Sequence, residues 1–189
     1  MTKTKAVFGS LLLFSLCGLG QTVVIETSLG EIEVVLDPAK APNTVRNFLQ
    51  YVDSGRYNGG RFHRTVLMDN QPQSPVKIEV IQGGTKPGSA SEPAIALERT
   101  NVTGLKHLDG VISMARSGPD TATSDFFICI GDQPELDFGG KRNPDGQGFA
   151  AFGRVTRGMD VVRKIQRSPH DGQKLTPPVE ILSIRKRPN

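Results

Sequence analysis

The sequence predicts a mainly β protein in which one antiparallel sheet closes into a barrel. Three observations carry that prediction. The chain is divided into many short runs rich in Val, Ile and Phe; only two segments show a helical repeat; and 21 glycines and 13 prolines supply the turns. Many short strands with so little helix to cover them are best accommodated by a sheet closed on itself, which also removes its sticky edges. At 189 residues the chain is about one domain, long enough to bury a core without disulfide staples.

The elements follow in order. Thr22 to Thr27 and Glu31 to Leu36 are β-branched runs around Ser28-Leu29-Gly30, the signature of a hairpin. Asp37-Pro38 ends the second strand, and Pro42-Asn43-Thr44 opens a helix. Val45, Phe48, Leu49 and Val52 give that helix one apolar stripe, suited to plugging a barrel end, and Gly55 is placed to stop it in the left-handed conformation. Arg61 to Val66 and Ile78 to Gln82 read as partner strands joined by the polar segment Leu67 to Lys77, which carries Pro72 and Pro75. Gly83 to Pro93 is loop. Val111 to Ala115 and Phe126 to Ile130 are buried strands separated by Gly118-Pro119-Asp120. A second long loop, Gly139 to Gly148, lacks the Gly-Lys-Ser/Thr ending of a phosphate loop. Phe149 to Val155 is a strand, Gly158 to Ile165 a short second helix, and Val179 to Ile184 a closing strand. The bulky strand residues point to a filled barrel rather than one that carries a ligand inside.

The first twenty residues stand apart. Lys3 and Lys5 precede an apolar run from Ala6 to Cys17, and Gly18 and Gly20 follow, the layout of a secretory signal peptide cut before Gln21. The expected organisation is therefore a signal peptide over 1–20 and one domain over 21–189, exported, and periplasmic in a cell with two membranes. Cys17 offers the alternative of a lipid anchor, but Leu16 stands before it where a small residue is wanted. No stable membrane span is expected once the signal is gone. Cys129 would then be the lone cysteine, within the run Phe126 to Ile130, and reads as a small buried residue. The formal charge of +4 is dispersed except in Arg185-Lys186-Arg187, so a nucleic-acid partner is not expected.

The most specific signal is a series of short motifs in one order: Phe62-His63-Arg64, Val80-Ile81-Gln82-Gly83-Gly84, Ser113-Met114-Ala115-Arg116 and Ser124-Asp125-Phe126-Phe127-Ile128. These residues make neither a nucleophile–base–acid set nor a metal site, and His63, His107 and His170 have no spacing that suggests a ligand set. They offer a hydrogen-bonding cation above an apolar floor, which suits a reaction that makes and breaks no covalent bond. On these motifs the sequence, from about Thr22 to Ile184, resembles the cyclophilin-type peptidyl-prolyl cis/trans isomerases, especially their exported bacterial branch.

That resemblance implies an eight-stranded antiparallel barrel with a helix over each open end. It implies an isomerase of X–Pro bonds in unfolded or flexible polypeptides, active as a monomer without cofactor or metal. Arg64 matches the catalytic arginine, and Gln82 the glutamine that steadies it and bonds substrate backbone. Phe127 matches the pocket floor, with Phe126 on the opposite face; Val80 and Leu136 match the pocket wall. Ala115 and Arg116 match the stretch along which the peptide lies, and Phe149 a position held by His or an aromatic residue. His63, next to Arg64 on a strand, is expected to face the other way as a buried hydrogen-bonding residue. Three positions depart from the family: Glu79 stands in place of a pocket phenylalanine, Glu135 of an aromatic, and Asp125 of a glutamine. The Leu67 to Lys77 segment is an insertion beside Arg64 and is expected to tune substrate choice. A cyclophilin-fold chaperone or binding module with lost catalysis is the alternative.

The mature protein is expected to begin at or near Gln21. N-terminal sequencing of the exported form checks this, and a lipid-modified Cys17 at its N-terminus would overturn it.

Overall fold

Side chains alternate along a strand, so each strand of a closed barrel offers one face to the interior and one to the outside. In this protein both faces are put to use. The computed structural model describes residues 21–188, and the predicted signal segment, Cys17 included, lies outside them. The strands are β1 (Gln21–Thr27), β2 (Gly30–Leu36), β3 (Gly60–Val66), β4 (Val80–Gly84), β5 (Val111–Met114), β6 (Phe126–Cys129), β7 (Ala150–Arg157), β8 (His170–Asp171) and β9 (Lys174–Lys186). They are hydrogen-bonded in the order β1-β2-β7-β5-β6-β4-β3-β9, and β9 pairs back onto β1. Eight antiparallel strands thus close the ring as expected, while β8 only folds back on the start of β9. Register shifts interrupt five of the pairings, those of β1 with β9, β2 with β7, β3 with both β4 and β9, and β5 with β7. Such bulges supply the local twist that a small closed sheet needs.

The interior is filled by Val23, Ile25, Ile32, Val34, Phe62, Ile81, Ile112, Phe126, Ile128 and Phe152, among others. Helix α1 (Pro42–Asp53) plugs one opening with Val45, Phe48, Tyr51 and Val52, and α3 (Met159–Gln166) covers the other with Val162 and Ile165. Leu49 of the predicted stripe is only partly buried, whereas Tyr51, outside it, is fully buried. Tyr51 packs against the Tyr57 ring, and its hydroxyl accepts a hydrogen bond from the Glu92 N–H at 2.7 Å. Pro42 occupies the first turn of α1, and no side chain caps it from its own flank. The Glu98 carboxylate does so from afar, accepting hydrogen bonds from the N–H groups of Asn43 and Thr44 and from the Thr44 hydroxyl at 3.0, 2.8 and 2.6 Å. An anion there satisfies orphan donors and complements the helix dipole. Gly55 ends the helix with φ of 66°, as predicted. A third helix, the single turn α2 (Thr100–Thr103), was not foreseen.

The basic run near the C-terminus is neutralised. Arg185 pairs with Glu31 at 3.3 Å, Lys186 with Asp53 at 2.6 Å, and Arg187 with Glu33. No helix of the described residues is long and apolar enough to cross a membrane.

Phe126 is the hub of the interior. Its ring meets Phe48, Tyr57 and Phe62 edge to face, with centroids 5.5 to 5.7 Å apart. Phe126→Ala is expected to destabilise the protein by about 3–5 kcal/mol through lost burial and the cavity left behind. Urea unfolding measures this; a loss under about 1 kcal/mol would show that the ring is not an anchor.

Candidate functional site

Because the interior is full, a substrate pocket can only form on the outer wall. There the second face of the strands builds a separate apolar cluster of Val66, Ile78, Val80, Phe127, Cys129 and Leu136, with Ala115 and Phe149 packed against it. Phe126 points inward and Phe127 outward, as the alternation predicts. Cys129 lies fully buried in this wall, and burial raises its thiol pKa far above the usual range, so it is an inert packing residue. Above the cluster opens a cleft of about 240 Å³. All eight residues expected at the site, Arg64, Val80, Gln82, Ala115, Arg116, Phe127, Leu136 and Phe149, line it, together with Ile78, Arg142 and Asn143.

Arg64 stands at the cleft edge, held from two sides by neutral amides. Its Nη1 donates to Gln82 Oε1 at 2.9 Å, while Nε and Nη2 both donate to Gln173 Oε1 at 2.9 and 2.6 Å. Among the described residues no carboxylate lies within ion-pair distance of it. Burial lowers its pKa, and the positive charge of Arg142 adds to the effect. Gln173 is a site residue the sequence reading missed. It sits in the two-residue turn between β8 and β9, after Asp171-Gly172, with Gly172 at φ of 55°. The turn is tied down: Thr65 N–H donates to the Gln173 carbonyl, the Gln173 amide donates to the Asn70 carbonyl at 3.1 Å, and Asn70 Nδ2 donates to the Gly172 carbonyl at 3.0 Å. Asn70 belongs to the inserted segment. That segment therefore reaches the arginine through one intermediate residue.

His63 is not where the simple alternation put it. Phe62 pairs with Gly83 and Arg64 with Gln82, so His63 is the extra residue of a β-bulge. The bulge breaks the alternation, and His63 is half-exposed instead of buried, with Nε2 3.6 Å from Asp125 Oδ2. Asp125 in turn accepts from the Gln82 amide at 3.2 Å, completing a chain Asp125–Gln82–Arg64. Gly84 makes room for this carboxylate, since a Cβ there would lie 2.0 Å from Asp125 Oδ1.

The floor is Phe127, stacked on the His107 ring (centroids 5.9 Å apart, planes 16° apart) and meeting Phe149 edge-on at 5.3 Å. His107 is a second residue the sequence reading missed. Its Nδ1 lies 2.8 Å from Asp137 Oδ1 and its Nε2 2.9 Å from the Ser113 hydroxyl. Burial works against ionisation of Asp137, but its hydrogen bonds from His107 outweigh that and lower its pKa. The chain Ser113–His107–Asp137 resembles a hydrolase triad in connectivity only. Ser113 is fully buried and cannot meet a substrate, so the network props the floor.

The rim is built by loops. Arg116 donates to both Asp145 oxygens at 2.7 and 2.8 Å and to the Gly148 carbonyl at 2.8 Å, and its guanidinium lies 5.0 Å from the centre of the Phe149 ring. Those hydrogen bonds hold the Asp145 carboxyl down at about 2. The Arg116 side chain is thus spent on holding the loop and Phe149. Two departures from the family also resolve. Ile78 shares the parity of Val80 and Gln82 and lines the cleft, whereas Glu79 accepts a hydrogen bond from Gln166 at 3.1 Å. Glu135 caps its own loop by accepting from Lys141 N–H at 2.8 Å and is not part of the lining. A larger apolar groove of about 590 Å³ lies elsewhere, along β2, β7 and β5; Arg154 lines it, but no side-chain amide and no aromatic ring does. Among the described residues no cluster of His, Cys, Asp or Glu could hold a metal ion.

The arrangement offers a cleft with an apolar floor, guanidiniums along its edge, and, among the described residues, no nucleophile or base in its lining. The sequence matches the model of the cyclophilin type peptidyl-prolyl cis-trans isomerase family over residues 22–186. It is 42% identical over 148 residues to peptidyl-prolyl cis-trans isomerase A of Dickeya dadantii, covering 76% of this chain and 70% of that one. It is 37% identical over 194 residues to a peptidyl-prolyl cis-trans isomerase of Acinetobacter baylyi, covering 98% and 96%. The fold superposes on a cyclophilin type isomerase of Cryptosporidium parvum, crystallised in the presence of the dipeptide Ala-Pro, with a TM-score of 0.72, 26% identity, and coverage of 89% and 100%. On these matches this chain belongs to the cyclophilin-type peptidyl-prolyl cis-trans isomerases, enzymes that exchange X–Pro bonds between cis and trans.

Proposed function

We propose that Arg64 drives this exchange by hydrogen bonding to the twisted prolyl amide while the proline ring is held over Phe127. The observation that carries the reading is a guanidinium fixed by Gln82 and Gln173, both neutral, at the edge of a cleft with an apolar floor. An X–Pro bond is planar in both isomers and crosses a barrier of about 18–20 kcal/mol because twisting breaks amide resonance. At the twist the prolyl nitrogen regains a lone pair that neither planar state has. A donor that meets this nitrogen favours the twisted state over both ground states, which is what lowers a barrier. A partly dry site strengthens the bond, and a guanidinium already in place has no reorganisation to undergo. Ile78, Val80, Leu136 and Phe149 wall the ring in, and Gln82 has an amide available to substrate backbone. Proline-containing segments of unfolded or flexible exported proteins are the proposed substrates. The basic start, apolar run and small residues within 1–20 support export.

Arg64→Ala is expected to lower kcat/KM by at least ~10²-fold, about 2.7 kcal/mol of transition-state stabilisation, without unfolding the protein. A protease-free isomerisation assay on an Xaa-Pro tetrapeptide reads this. A folded variant with unchanged activity would overturn the role of Arg64.

Gln173→Glu tests why the partners are neutral. The introduced carboxylate would chelate Arg64 and cancel its charge, so kcat is expected to fall ~10-fold at pH 7 with a smaller change in KM. Beside the arginine its pKa would lie below the usual carboxylate value, so the ionised form dominates at neutral pH. Activity should therefore return only as pH drops below about 4, where the carboxyl is protonated and again resembles the amide. A pH–rate profile parallel to that of the wild type would show that Gln173 does not act through the charge of Arg64.

A further inference from the structure

Three guanidinium groups line the cleft, and only one of them is neutralised. Arg116 is paired with Asp145, and Arg64 is held by amide oxygens. Arg142 comes from the loop that closes the cleft. It spends a single nitrogen, Nη1, on three acceptors of the inserted segment: Gln71 Oε1 at 2.8 Å, Ser74 Oγ at 2.6 Å and the Val76 carbonyl at 2.6 Å. Its Nε and Nη2 make no hydrogen bond among the described residues, and no carboxylate there lies within 4.0 Å of it. Yet no buried side-chain nitrogen or oxygen of those residues lacks a partner. The two spare nitrogens are therefore open to solvent and the cleft, not sealed in protein.

The cleft has no acidic residue in its lining. Arg142 is partly buried, which disfavours its charged form, and its charge in turn disfavours that of Arg64. Two cations thus share one partly dry space with no anion between them, and a carboxylate brought by the substrate would relieve both. A guanidinium with two free donors also matches a carboxylate in geometry, since the pair can form two parallel hydrogen bonds.

We infer that Arg142 is a second substrate-binding cation, and that it makes this isomerase favour proline segments carrying an aspartate or glutamate next to the proline. The inference rests on the cleft being the X–Pro site, as proposed above for Arg64.

The test uses matched tetrapeptides that differ only as Glu or Gln, placed directly before or directly after the proline. At low salt the wild type is expected to show a Glu-over-Gln ratio in kcat/KM of about 3- to 10-fold for at least one placement. That ratio should shrink in ~0.5 M NaCl as the charges are screened. Arg142→Met should bring the ratio to about one whatever its absolute rate, and Arg142→Gln, which keeps a donor for the inserted segment, serves if the first variant does not fold. Ser74→Ala removes one of the acceptors of Nη1 but leaves the charge, and should retain the ratio. A wild-type ratio near one for both placements, or an Arg142→Met ratio equal to that of the wild type, would overturn the inference. An Arg64→Ala protein that stays active would instead remove the reading of the cleft on which it rests, so the two failures are distinguishable.

Discussion

A partly buried guanidinium held in place by neutral partners, with its charge left uncancelled, is the arrangement around which the rest of the site is built. The usual way to hold an arginine is a carboxylate, and Arg116 with Asp145 shows what that achieves: tight bidentate geometry and a charge cancelled at source. Arg64 is held by amide oxygens instead, so its positive field remains available to a ligand. The nearest acid in its chain of bonds, Asp125, reaches it only through the Gln82 amide. Neutral partners bind a cation less strongly than a carboxylate does, so more of the fold must be recruited to hold them. The turn Gly172-Gln173, its hydrogen bond to Thr65 and the brace by Asn70 answer that need.

The filled barrel imposes the second constraint. Phe126, Phe62 and Phe152 leave no room inside, so the pocket is built on the outer wall, where strands alone supply a floor but no sides. The sides come from the turn around Leu136 and the loop from Gly139 to Gly148, whose Arg142 is fastened in turn by the inserted segment. The loop and the inserted segment are fixed mainly by directed hydrogen bonds, Arg116 to Asp145 and Gly148, Arg142 to Gln71, Ser74 and Val76, and Gln71 to the backbone of Leu67 and Ile78, whereas Leu136 is held by apolar burial. A rim made in this way can vary in length and charge without disturbing the barrel, which is where specificity can differ between proteins of one fold.

What the sequence revealed follows the same division. Strand parity and helix periodicity act within a few residues, and they correctly sent Phe126 inward and Phe127 outward and placed α1 with its stop at Gly55. The same parity would have chosen Ile78 for the pocket, since it lies two residues before Val80 and four before Gln82. The resemblance set Glu79 against a pocket phenylalanine, whereas Ile78 is the residue that lines the cleft and Glu79 accepts a hydrogen bond from Gln166. His63 escaped because a bulge breaks the alternation on which its placement depended. Gln173 and His107 escaped for another reason. Gln173 lies 109 residues from Arg64 in the chain, and nothing local to either marks them as partners. His107 meets Phe127 only after two strands have paired, and a lone histidine carries no signal of what it will stack on.

Arg142 joins the two themes. Like Arg64 it is a guanidinium held by neutral oxygens, and like Arg116 it fastens a loop. If fastening were all that mattered, a carboxylate in the inserted segment would do it more strongly, as Asp145 does for Arg116. The acceptors are instead an amide, a hydroxyl and a carbonyl, all on one nitrogen, and Nε and Nη2 are left without a protein partner among the described residues. An ion pair with the protein would close the cleft to an incoming anion, whereas neutral acceptors secure the loop and leave the charge unspent. The choice of partner, more than the presence of an arginine, separates a residue that only holds the rim from one that can also read what enters it.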